Sequence, residues 1–177
     1  QYSSGDGAFD TLIAGVDGDD VGAFDLDTKL EIWRIDNLAG GLTSLAVADP
    51  DGDGSPELIW GAGHASSGPD FLYVHNATDQ TLDWQSLDIQ GHIIGPKRGD
   101  LDGDGTDEIV FVAATTERYS REPHAFIFDS QSLRLKAAPT ALSPYGYSTP
   151  GDFALVDAND DGDAELALAG MDLTVFD

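Results

Sequence analysis

The chain contains no cysteine, a single methionine and only eight basic residues among 177, three of them lysines. Without cysteine there is no thiolate ligand, which makes zinc and copper poor candidates for any metal chemistry. The lack of cysteine leaves the cellular compartment open. The shortage of basic residues, set against 33 acids, gives a formal charge of −25. Such a charge argues against nucleic acid and against an anionic membrane surface as partners. No stretch approaches the roughly 18–20 apolar residues of a membrane-spanning helix, so membrane insertion is not expected. Three catalytic motifs are missing too: there is no Gly-x-Ser-x-Gly elbow, no phosphate-binding loop and no His-Glu-x-x-His zinc site. Carboxylate pairs suited to glycoside hydrolysis could be drawn from so many acids, but the spare ones have no distinguishing context and read as solvated surface. The expectation is therefore a non-enzyme. There is also no signal-peptide pattern and no initiating Met, so Gln1 suggests a processed chain or a piece of a longer one. What remains, with 41% hydrophobic residues and 21 glycines, is the composition of a globular domain large enough for a proper core.

Against these absences stands one repeated nine-residue pattern. It occurs as Asp49-Pro-Asp51-Gly-Asp53-Gly-Ser55-Pro-Glu57, as Asp100-Leu-Asp102-Gly-Asp104-Gly-Thr106-Asp-Glu108, and as Asp157-Ala-Asn159-Asp-Asp161-Gly-Asp163-Ala-Glu165. Oxygen-bearing side chains fill positions 1, 3 and 5, glycine fills position 6, and glutamate fills position 9. An apolar run follows each: Leu58-Ile59-Trp60, Ile109-Val110-Phe111-Val112 and Leu166-Ala167-Leu168.

Alternate residues of a tight turn can point their side chains into one concavity, and glycine at position 6 lets the chain fold back. Carboxylates gathered in this way repel one another and are costly to bury unpaired. A divalent cation resolves the conflict, and Ca²⁺, which accepts 6–8 oxygen ligands in forgiving geometry, suits it better than Mg²⁺. None of the four histidines (His64, His75, His92, His124) falls in these loops. An EF-hand is excluded, because its position-12 glutamate is here Trp60, Phe111 or Leu168 and strand rather than helix follows. Asp and Gly also make ordinary turns, which could explain one such loop. Three in the same register read as about three calcium sites. Weak calcium sites fill most readily where the ion is millimolar, so an extracellular or cell-surface location is expected.

The first positions of the loops lie 51 and 57 residues apart, a period that signals propellers or solenoids. In register, residues 41–90 hold four candidate strands, at 42–48, 58–61, 71–75 and 81–85. Residues 91–147 hold four more, at 93–96, 109–113, 125–129 and 132–136. Residues 148–177 show three, at 153–156, 166–170 and 173–176. Residues 1–40 also show three, at 12–15, 22–25 and 30–34, and are expected to lack the opening strand. There Tyr2, Ser4, Asp6, Gly7 and Asp10 would stand in a degenerate loop. Asp17-Gly-Asp-Asp20 reads as a hairpin turn. The fold class is all-β: blades of four antiparallel strands, two complete and two incomplete, as part of a larger or multi-chain propeller. The incomplete units could be completed by neighbouring chains through strand addition.

The Asp-x-Asp-x-Asp-Gly-x-x-Glu loops, with the short apolar strand and Gly61-Ala-Gly63, resemble the FG-GAP or VCBS repeats. That family includes the calcium-binding blades of integrin α-subunit propellers and many secreted microbial proteins. The resemblance covers most of the chain, and the generic microbial repeat fits better than the integrin form. It implies a Ca²⁺ held in an inter-strand loop by the side chains at positions 1, 3, 5 and 9 and the backbone carbonyl at position 7. Those ligands would be Asp49, Asp51, Asp53, Ser55 and Glu57; Asp100, Asp102, Asp104, Thr106 and Glu108; and Asp157, Asn159, Asp161, Asp163 and Glu165.

Trp33 and Trp84 share a place in their outer strands, which suggests packing, as does Trp60 within its apolar strand. Two long loops are expected, one near His64 and Tyr73 and one holding Arg118, Tyr119, Arg121 and His124. Long loops on a rigid scaffold are common binding regions. Asn76-Ala-Thr78 is a glycosylation sequon in a turn. The functional expectation is a calcium-stabilised extracellular module for adhesion, assembly or ligand binding, with a protein or carbohydrate ligand. The alternatives are a polysaccharide-acting enzyme or its propeller domain, and a self-assembling structural subunit.

Overall fold

The computed structural model describes residues 2–3, 9–16, 19–49, 52–64, 67–117, 120–136, 140–142, 152–169 and 173–176. It is all-β, with no helix among these residues long and apolar enough to cross a membrane. The strands form four small antiparallel meanders. The first holds β1 (Tyr2–Ser3), β2 (Phe9–Gly15), β3 (Val21–Asp25) and β4 (Glu31–Ile35). The second holds β5 (Leu42–Ala48), β6 (Glu57–His64), β7 (Ser67–Asn76) and β8 (Leu82–Gln85). The third holds β9 (Gly91–Gly99), β10 (Glu108–Glu117), β11 (Ser120–Asp129) and β12 (Thr140–Ala141). The fourth holds β13 (Asp152–Val156), β14 (Glu165–Ala169) and β15 (Leu173–Phe176).

The central strands are continuous apolar runs because they are covered on both faces. Side chains alternate along a strand, so successive residues enter different cores. On β10, Ile109, Phe111 and Ala113 face a cluster shared with Ile59, Leu72 and Val74 of the second sheet. The intervening Val110 and Val112 face a cluster shared with Phe153, Leu166 and Leu168 of the fourth. On β6, Leu58, Trp60 and Ala62 likewise turn the other way, toward Val21, Ile13 and Trp33 of the first sheet. The sheets thus pack in chain order, each central one between its two neighbours. Trp84 lies edge-on to Phe128 at 5.1 Å, and Trp33 packs against the cluster that holds Trp60, so these tryptophans are packing residues. The close fit at the second interface leaves no room for a side chain at Gly61. A Cβ there would lie 3.0 Å from Ile93 Cβ and 2.6 Å from Thr43 Oγ1.

Three expectations need correction. The first sheet does have an opening strand: Tyr2 and Ser3 pair with Thr11 and Phe9, so Tyr2 is a strand residue rather than a loop ligand. Ser4, Asp6 and Gly7 lie outside the described residues. The fourth strand of the third sheet is Thr140–Ala141, paired with Ala125 and His124, and not 132–136. Residues 132–136 lie along β11 through one bridge, Leu135 to Phe128, flanked by the Asp129–Arg134 and Lys136–Ile127 backbone hydrogen bonds, while they close a tight turn on Asp129 and direct Lys136 toward the acidic loop. The two long loops are in fact mostly hairpin. β6 runs to His64 and β7 starts at Ser67, while β10 and β11 pair from Glu108↔Asp129 to Glu117↔Ser120. Arg118 and Tyr119 lie outside the described residues, and Tyr73 stacks on Trp60 at 4.5 Å.

One turn is built three times. Asp25, Asn76 and Asp129 each accept backbone N–H groups of the following residues with a side-chain oxygen. Four residues later the chain enters the left-handed region at Lys29 (φ 62), Gln80 (φ 63) and Leu133 (φ 53). The strand pairing Glu57↔Asn76 and Glu108↔Asp129 puts these turns at the same end of the sheets as the acidic loops.

Phe111 has no exposed surface and contacts Phe126 and Phe128 by stacking. Phe111→Ala is expected to cost about 3–5 kcal/mol of unfolding free energy in urea titrations. A loss below about 1 kcal/mol would contradict burial on this face.

Candidate metal centre

The three acidic loops occupy equivalent places, joining β5 to β6, β9 to β10 and β13 to β14. Each begins where a first strand ends and closes on the glutamate that opens the second. Their internal geometry repeats. The N–H of the position-6 glycine donates to the position-1 carboxylate at 3.0 Å (Gly54 to Asp49), 2.9 Å (Gly105 to Asp100) and 3.1 Å (Gly162 to Asp157). The position-7 N–H donates to the position-5 carboxylate at 2.7 Å (Ser55 to Asp53), 2.8 Å (Thr106 to Asp104) and 3.1 Å (Asp163 to Asp161). Glycine is required at position 6 of each, where φ is 89°, 85° and 101° at Gly54, Gly105 and Gly162.

The position-9 glutamates are buried, with Glu57, Glu108 and Glu165 exposing 7%, 1% and 4% of their surface. A carboxylate in that setting requires donors or a cation. Glu108 accepts the Leu101 N–H at 2.9 Å, and Glu165 accepts the Ala158 N–H at 2.7 Å. The first loop has Pro50 at this position, which carries no N–H to offer.

Position 1 shows the clearest demand for a cation. Asp49 Oδ1 and Asp100 Oδ1 are buried without any hydrogen-bond partner. In the third loop the same oxygen, Asp157 Oδ1, accepts the Asp161 N–H at 3.2 Å. There Asn159 also donates to Glu165 at 3.3 Å, so this loop satisfies more of its own oxygens. In the second loop, ligand oxygens of Asp100, Asp102 and Glu108 lie within 4.8 Å of one another. Asp104 joins the group through Lys136, which contacts Asp102 at 2.9 Å, Asp104 at 3.4 Å and Glu108 at 2.6 Å. Of the first loop, Asp51 lies outside the described residues, and Asp49, Asp53, Ser55 and Glu57 are placed as above.

The electrostatics follow from this crowding. The Thr106 N–H holds the Asp104 carboxyl below its usual range, with Lys136 adding to the effect. The hydrogen bonds that the Lys136 ammonium donates to Asp102 and Glu108 raise its pKa above the ordinary value. Asp163 moves the other way. Desolvation raises its pKa most, helped by Asp161, Asp100, Glu165 and Asp102. Its side chain lies directly over Gly103 of the second loop, so the second and third loops meet face to face. The Ala164 N–H also donates to the Asp100 carbonyl at 2.8 Å. Between the first two loops, Arg98 donates to the Asp49 carbonyl at 2.7 Å and pairs with Asp107 at 2.7 Å. The loops therefore form one contiguous acidic edge.

Reading the sequence alone missed Lys136, Arg98 and Asp83. The signal for Lys136 was present: it is one of three lysines and follows the Asp129 turn, which the hairpin register sets beside Glu108. The sequon residue Asn76 has a structural use, its amide oxygen capping the β7–β8 turn. Asp17 and Gly18 lie outside the described residues, while Asp19 and Asp20 close the turn expected there through hydrogen bonds to Val16.

A scan against protein-family models and a search of curated proteins return no match to the chain. The likeness of the loops to FG-GAP and VCBS repeats rests on the motif itself.

The raised pKa of Asp163 fixes the sign of one pH effect. The folded chain holds this proton more tightly than the unfolded one, so stability falls as pH rises from the ordinary value of 3.8 through the raised folded value. In metal-free buffer at neutral pH, Asp163→Asn is expected to melt above the parent chain, and the two melts should converge below about pH 3. Thermal melts followed by circular dichroism check it.

Proposed function

We propose that the chain is a calcium-binding, non-enzymatic β-propeller repeat module of FG-GAP/VCBS type, belonging to an extracellular or cell-surface protein. Its role is structural or adhesive, and its Ca²⁺ ions fasten the first two strands of each unit together. The observation that carries this reading is the pair of buried, unpartnered oxygens at position 1, Asp49 Oδ1 and Asp100 Oδ1, each set in a loop of otherwise repeated geometry. Among the described residues no hydrogen-bond donor reaches these two oxygens, and the surrounding oxygens are hard ligands with flexible spacing, the donor set of Ca²⁺ rather than Mg²⁺. The blade arrangement is supported by how the sheets approach. β9 touches both β5 and β13, so the first strands of successive sheets come together, as they do around the axis of a propeller.

Binding to the folded loops adds to folding free energy, by about 2.7 kcal/mol per site at a free concentration one hundred times Kd. Millimolar Ca²⁺ is therefore expected to raise the melting temperature by several degrees, about 2–4 °C per kcal/mol at this size, and EDTA to reverse it. An identical melt in Ca²⁺ and in EDTA sinks the calcium assignment.

One observation favours a second reading, self-association. β15 is the edge of a three-stranded sheet and presents Leu173 and Val175, which are 73% and 49% exposed. Such an edge is a template for strand addition. Light scattering decides between the two outcomes. A concentration-dependent mass weakened by Val175→Lys supports assembly through this edge, and a strict monomer at about 100 μM excludes it.

A further inference from the structure

The repeated turn places one residue beside each of the first two acidic loops, three positions after the left-handed residue. In the third sheet that residue is Lys136, three beyond Leu133, and in the second it is Asp83, three beyond Gln80. The backbone around them matches: the Asp129 N–H bonds the Arg134 carbonyl, and the Asn76 N–H bonds the Thr81 carbonyl, both at 2.9 Å. Side chains at this position of the repeat therefore start from the same place relative to positions 5 and 9 of the loop.

What they deliver is opposite in charge. The Lys136 ammonium enters the second loop and contacts Asp104 at position 5, Glu108 at position 9 and Asp102 at position 3. In the first loop the corresponding space is a cavity of about 200 Å³, bounded by Asp53 at position 5, Glu57 at position 9 and Asp83. Ser130, 1% exposed and with its Oγ lacking any hydrogen-bond partner, also lines that cavity. Where one loop is filled by a tethered cation, the other has an open space with an added carboxylate and a spare hydroxyl.

We propose that this single repeat position grades the cation affinity of the loops. Lys136 serves as the built-in counter-ion of the second loop, and Asp83 makes the first loop the strongest divalent-cation site of the chain, with Ser130 as a further oxygen donor from the next unit. The assignment rests on the calcium reading above and adds an order to it. A divalent ion entering the second loop must displace an ammonium already contacting three carboxylates, whereas one entering the first meets more negative charge than the loop alone supplies. Affinity of carboxylate loops for Ca²⁺ follows ligand charge count. A role for Lys136 as an ordinary surface ion pair does not account for its contact with a glutamate that is 1% exposed.

The test is calorimetric titration of the metal-free chain with Ca²⁺, using wild type, Lys136→Met, Lys136→Gln and Asp83→Lys. Asp102→Ala identifies which step belongs to the second loop. Replacing Lys136 by either neutral residue is expected to tighten that step by about tenfold or more, and Asp83→Lys to weaken the tightest step by a similar factor. Circular dichroism verifies folding, and the two Lys136 variants guard against a fault peculiar to one of them. Ca²⁺ binding with affinities unchanged within about twofold in every variant overturns the grading while leaving the calcium reading intact. No Ca²⁺ binding by any chain at millimolar concentration overturns both.

Discussion

A carboxylate buried at the head of a strand must be matched by donors or by a cation, and in this chain that demand recurs at Glu57, Glu108 and Glu165. Each glutamate ends an acidic loop and begins the second strand of that unit's acidic hairpin, which at β6 and β10 is packed on both faces. The apolar core therefore holds the carboxylate in place, and the loop folds back to meet it. Strand and loop share one residue, so neither can shift without the other. The buried position-1 oxygens, the position-6 glycines and the sideways approach of Lys136 are all consequences of fixing that glutamate.

The same constraint explains why the loops differ although their patterns agree. The third loop replaces an aspartate by Asn159, and its amide supplies a hydrogen to Glu165. The second has the Leu101 N–H and the Lys136 ammonium. The first loses a backbone donor to Pro50 and faces Asp83 across a cavity. Three arrangements around one electrostatic problem coexist in one chain, and they differ in the groups that meet the closing glutamate.

Most of the architecture was legible in the sequence because its signals are local. Alternation of apolar side chains gave β5 and β15 their observed bounds, and the spacing of the acidic loops gave the register of the units. The misreadings arose where distant partners decide. Tyr2–Ser3 is too short to read as a strand and forms one only through pairing with β2. Residues 132–136 carry a strand-like pattern, but turn closure on Asp129 and the pull of Glu108 on Lys136 leave pairing to Thr140–Ala141. The stretch after Gly61 reads as part of a long loop, yet β6 continues through it to His64, and Gly63 there lies against the Asp70 backbone. Within the candidate site, the repeated acidic pattern lay on the surface of the sequence. Lys136 and Asp83 did not, since their meaning depends on which end of a hairpin they occupy.

Arg98 has an implication of a different kind. Its guanidinium joins the backbone of one acidic loop to a side chain of the next, and the Ala164–Asp100 hydrogen bond joins that loop to the third. If these loops hold cations as proposed, a cation in one loop sits beside backbone groups that its neighbour also holds. Occupancies along this edge would then be linked rather than separate.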